Sequence, residues 1–94
     1  MGTNFYLHRE NKEPLHLGKQ SYGWRFLFHK TDEIKNFNDF KEILKTGYIM
    51  DEYKQIWSSD DLLELIKGRQ FDKKHTDNQI EHIDGCDFLN GEFV

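Results

Sequence analysis

The sequence predicts an α+β domain: a mostly antiparallel sheet in the order βββ-α-ββ-α-β, with two helices packed on one face. Three observations predict it. Residues 3–31 alternate apolar and polar side chains with a period of two, the pattern of half-buried strands. Two later segments, each opened by a capping residue, switch to a helical period. Turn-forming residues such as Gly23, Gly47 and Asp84-Gly85 separate the periodic runs. The 94 residues suit a single domain, 1–94, whose eight Phe, two Trp and four Tyr supply large side chains to a small core.

The elements follow in order. Thr3–Arg9 reads as a strand with Phe5 and Leu7 on one face and Tyr6 and His8 on the other. After a polar connector at 10–14, Leu15–Lys19 places Leu15 and Leu17 together and His16 opposite. A turn near Gly18–Gly23 leads into Trp24–Thr31, where Trp24, Phe26 and Phe28 alternate with Arg25, Leu27 and His29. A meander of these three strands puts Phe5, Leu7, Leu15, Leu17, Trp24, Phe26 and Phe28 in the core. Asn36 then caps a helix, with Asp39 at N3 and Phe37, Phe40, Ile43 and Leu44 on one stripe; Gly47 is its expected C′ stop. Tyr48–Met50 and Tyr53–Ile56 form a short hairpin around a solvated Asp51-Glu52 turn. Ser58 caps the second helix, with Asp61 at N3, Trp57 placed to staple onto Leu62, and Leu62, Leu63, Leu65 and Ile66 as its buried stripe. Residues 70–83 are polar and weakly patterned and read as loop. Asp84-Gly85 signals a turn into a last strand, Asp87–Val94, anchored by Phe88 and Phe93.

Charge and cysteine usage exclude several classes. The net charge is −4, with about +2 in residues 1–35 and about −6 in the remainder, and no Lys or Arg occurs from His75 to Val94. General nucleic-acid binding calls for a basic surface that neutralises phosphates, so it is not expected. No apolar run approaches membrane-spanning length, and the start lacks the pattern of a signal peptide. Cys86 is the lone cysteine, so no intrachain disulfide forms and a cytoplasmic location is expected.

The candidate site residues lie in LHLGKQSYGWRFLFH, residues 15–29. Period-two geometry sets His8, His16 and His29 on the outer face of the meander, where three imidazoles could hold a small ligand or a transition metal. As structure alone, they are half-exposed strand histidines. The turn containing Lys19, Ser21 and Tyr22, beside Trp24, forms a recognition edge. It lacks the G-x-x-x-x-G-K-[ST] order and the following helix of a phosphate loop. The pairs His75/Asp77 and His82/Asp84 have a spacing usable in acid–base chemistry, and His82 precedes Cys86 by four residues. A solvated polar segment and an incidental thiol are the favoured explanation of both. No cofactor motif and no catalytic frame emerge.

MGTNFY, LHLGKQSYGWRFLFH, the Phe40–Leu44 helix, IMDEY before a Ser-capped helix, and DGCDFLNGEFV together resemble a family of small uncharacterised bacteriophage and prophage proteins. The resemblance spans most of the chain and is most specific at 15–29. It implies a viral origin, and hence the host cytoplasm, rather than a reaction. Many relatives carry a Cys-x-x-Cys pair between the first two strands. Here that connector is Arg9-Glu10-Asn11-Lys12-Glu13, so a metal knuckle of that kind is not expected. The combined expectation is a non-enzymatic phage accessory protein that binds, and in doing so inhibits, a host or phage macromolecule, with a protein as its partner. Exposed aromatics such as Tyr22, Tyr48 and Tyr53 suit such an interface. The alternative is a small-ligand or metal-binding protein using His8, His16 and His29 with Lys19. The oligomeric state is left open.

Overall fold

A computed structural model describes residues 2–90 and shows an α+β fold built on one seven-stranded, mostly antiparallel sheet with two short helices. Alternation in the first third of the chain produces β1 (Gly2–His8), β2 (Leu15–Ser21) and β3 (Leu27–Lys30), which pair antiparallel as a meander. Helix α1 (Phe37–Ile43) starts where the Asn36 side chain accepts the Asp39 amide at 2.8 Å, and it tightens into a short 3₁₀ turn, Leu44–Thr46. Gly47 ends it in extended backbone (φ −171°), so the expected left-handed C′ stop is replaced by direct entry into the next strand. That strand is β4 (Tyr48–Asp51), which pairs with β1 and with the short β5 (Ile56–Trp57). Helix α2 (Ser59–Gly68) is capped by Ser58, whose hydroxyl accepts the Asp61 amide at 3.0 Å.

The end of the chain departs from the sequence reading. Residues 80–83, expected as loop, form β6 (Ile80–Ile83), paired antiparallel with β7 (Cys86–Asn90). Asp84 and Gly85 both have positive φ (53° and 75°), the geometry of a two-residue hairpin turn that lets backbone pairing create a strand from a polar segment. The order is therefore βββ-α-ββ-α-ββ, and β7 inserts beside β3 in parallel, giving the sheet order β5-β4-β1-β2-β3-β7-β6. The expected anchor Phe93 lies outside the described residues.

One sheet face carries the core. Phe28 packs against Phe26 at 4.9 Å, Phe40 at 4.8 Å and Phe88 at 4.8 Å between ring centroids, and Phe5 meets Trp57 edge-on at 5.2 Å. Phe40 and Leu44 near α1, and Leu62 and Ile66 of α2, belong to the same buried cluster as Phe5, Leu7, Leu17 and Phe26. Trp24 does not. It lies outside β3, bridged only to Lys73, while its neighbour Arg25 is buried with Phe26. The strict alternation expected across residues 24–28 fails there because the chain is not yet in the ladder.

Candidate functional site

The face opposite the core is shaped by a bulge. Phe5 pairs with Gly18 but Tyr6 with His16, which leaves Leu17 as an extra residue in β2. Leu17 and Gly18 both turn inward and are buried, so the alternation resets. Lys19 and Ser21 then emerge on the same outer face as His16, whereas an unbroken strand would send them to the core side. Gly18 is required at this point: a Cβ would run into the Leu27 carbonyl and lie 2.6 Å from the Phe26 ring. Lys19 pairs across β2–β3 with Leu27, two residues before His29, so β3 presents Leu27 and His29 to that same face.

A chain of hydrogen bonds crosses this surface. Glu52 Oε1 accepts from the Asn4 amide at 2.7 Å and from Asn4 Nδ2 at 3.1 Å, which aims Asn4 Oδ1 at His16 Nε2, 2.8 Å away. His16 Nε2 must then carry the proton and donate, leaving Nδ1 as an acceptor. His29 Nδ1 lies 3.1 Å from it and is the donor. Burial, the neighbouring His29 and the charge of Lys19 lower the His16 pKa from 6.5 to about 4. Protonating His16 would also set two N–H groups against each other unless His29 moved its proton from Nδ1 to Nε2.

His8 does not join this pair. It lies next to β4 and stacks on Tyr48 at 5.1 Å between rings, so the expected group of His8, His16 and His29 splits into a couple and an outlier. Among the described residues no group of three or more His, Cys, Asp or Glu is placed to hold a metal.

Beside the histidine couple lies a cleft of about 520 Å³. Leu27 and Leu89 form its floor, with Ile80 at the edge, and Lys19 and Ser21 line the β2 side. The opposite wall is a strap of irregular chain before β6, presenting His75, Thr76 and Asp77, with Trp24 closing one end. Tyr22, expected at this edge, does not line the cleft and is 87% exposed.

Sequence reasoning missed what holds the strap. Asp87 is fully buried; its Oδ2 accepts the His75 amide at 2.9 Å, and its Oδ1 lies 3.7 Å from the Arg25 guanidinium and 3.5 Å from His82 Nε2. His75 Nε2 donates to the Arg25 carbonyl at 3.0 Å, His82 Nε2 donates to the His75 carbonyl at 2.9 Å, and the His75 ring stacks on Trp24 at 5.0 Å. Arg25 also donates to the Gly85 carbonyl. The two histidines thus converge on Asp87, not on Asp77 and Asp84. The available signal was a charged residue inside each of two apolar runs, WRFLF and CDFL.

The remaining candidates serve structure. Burial pushes the Cys86 thiol above its ordinary range, and its Sγ donates to the Asp84 carbonyl at 3.7 Å, an environment that suppresses the thiolate. Asp51, expected to be solvated, is 4% exposed and accepts from the Tyr53 and Gln55 amides and the Trp57 indole at 2.9–3.0 Å. No helix among the described residues is long and apolar enough to cross a membrane. No family model matches the chain, and neither a curated protein nor a solved structure does.

Proposed function

We propose that the protein is a small non-enzymatic accessory protein, phage-encoded and acting in the host cytoplasm, that binds a protein partner through the outer face of β2, β3 and β7. The observation that carries this reading is the cleft beside Lys19, which combines an apolar floor with a lysine that forms no ion pair among the described residues. A shallow site with an apolar centre and polar sides is the usual anatomy of a binding surface. The shared core cluster supports placing both helices on the other side of the sheet, where they back the binding face without covering it. The upward shift of the Cys86 thiol by burial and the occupation of His75 and His82 in holding the strap favour binding over catalysis.

The test is position-specific photocrosslinking in bacterial lysate. A benzophenone amino acid replaces Tyr22, exposed and next in sequence to the cleft-lining Ser21, or Tyr53, on the distant β4–β5 hairpin. The expected result is one discrete adduct from position 22, suppressed by excess unmodified protein, and none from position 53. Equal labelling from both positions, or no adduct from position 22, overturns the reading.

A further inference from the structure

We infer that the cleft receives an acidic side chain flanked by aliphatic residues, presented by a peptide segment of the partner. This inference rests on the binding role proposed above and specifies its chemistry.

Charge supplies the first argument. Arg9, Lys12, Arg25, Lys30, Lys45 and Arg69 each face a carboxylate within 4 Å; of the lysines that do not, Lys35, Lys41, Lys54, Lys67, Lys73 and Lys74 are exposed, whereas Lys19 is half-buried. Its stem crosses Gly2, where a Cβ would sit 3.1 Å from Lys19 Cγ, so the lack of a side chain at Gly2 leaves room for it. Lys19 is half-buried and lines a cleft with an apolar floor, so its charge is a ready partner for a carboxylate, and the Ser21 hydroxyl on the same wall adds a donor.

Shape supplies the second. Leu27, Leu89 and Ile80 offer aliphatic contact, and the volume of about 520 Å³ accommodates a few side chains, not a folded element. Trp24 offers no open stacking platform, because His75 covers it at 5.0 Å and Lys73 Nζ stands 5.0 Å from its ring centroid. An aliphatic ligand is therefore favoured over an aromatic one.

Polarity fixes the orientation. The far wall carries Asp77, whose carboxylate accepts the Asn78 amide at 2.6 Å and whose carbonyl accepts the Ile80 amide at 3.0 Å, so it belongs to the turn into β6. It disfavours a second anion there and sends the ligand carboxylate to the Lys19 side. The positive balance of residues 1–35, which build β1 to β3, and the negative balance of the remainder match that direction.

The experiment titrates the full ¹⁵N-labelled chain with acetyl-Leu-Glu-Leu-amide, acetyl-Leu-Gln-Leu-amide and octanoate, followed by amide NMR shifts. The Glu peptide is expected to shift Lys19, Leu27 and Leu89 saturably and to bind about fivefold or more tightly than the Gln peptide, the discrimination of one charge-assisted contact. Lys19→Met, which keeps the aliphatic stem, should bring the two affinities together; Lys19→Gln serves if that variant loses its amide dispersion. Equal affinities in the unmodified protein, or saturable shifts confined to other surfaces, overturn the inference. So does saturation of the cleft by octanoate without binding of the Glu peptide, which would mark a site for small carboxylates. A competed adduct from position 22 alongside equal peptide affinities would sink this inference and leave the binding role standing.

Discussion

His16 is the residue on which acidity acts most directly. Its pKa falls from 6.5 to about 4 on folding, so between those values the unfolded chain binds a proton that the folded chain refuses. The stability this provides is complete above pH 6.5 and is lost as pH falls through about 4. Because the ring is only half-buried, solvent screening limits the effect to about 1 kcal/mol. Urea unfolding from pH 7.5 to 4 should show the native chain losing about that much more stability than His16→Gln, which does not titrate. Parallel pH profiles would contradict the lowering of the His16 pKa by burial, His29 and Lys19. Lys19, which contributes to the same shift, thus connects the histidine couple to the cleft.

At the scale of elements, β4 and β5 are joined by a carboxylate more than by their two-residue ladder. Burial alone would raise the Asp51 pKa, but the Trp57 indole and the Gln55 and Tyr53 amides outweigh it, and the carboxyl sits below its ordinary value. Asp51→Ala removes the acceptor of three donors and should cost about 3 kcal/mol in urea unfolding. Ser58→Ala, which removes one cap from α2, should cost about 1 kcal/mol in the same measurement. A smaller loss for Asp51→Ala than for Ser58→Ala would mean the hairpin is held by Trp57 packing on Phe5 alone. The helix starts were legible because a cap is local: Asn36 and Ser58 satisfy amides three residues away. β6 was not, because its ladder depends on β7 and not on its own hydrophobic pattern.

For the whole molecule, the buried Arg25–Asp87 pair ties the strap to the sheet and so determines whether the cleft has a second wall. Asp87→Asn preserves an oxygen for the His75 amide but removes the counter-charge of Arg25. Breaking such a pair should cost about 3 kcal/mol. It should also speed amide exchange in residues 72–79 beyond the effect of global destabilisation. Stability within about 0.5 kcal/mol of the parent, with unchanged exchange in the strap, would show that the pair holds nothing there.

The sequence by itself determined the α+β class, the first three strands, both helix starts and most of the core, because period-two and helical patterns and caps are written in neighbouring residues. It also brought His16, Lys19, Ser21 and His29 forward as candidates. Only the tertiary structure decided how they combine. The bulge at Leu17 sets Lys19 and Ser21 on the histidine face, while the β1–β4 pairing takes His8 away to Tyr48. The parallel entry of β7 beside β3 buries Asp87 under a strap that began as an unpatterned polar loop. These outcomes depend on registers and on pairings between residues 10 to 60 positions apart, which no local pattern encodes. That is why the residues of the cleft could be named from the sequence in part, and its walls could not.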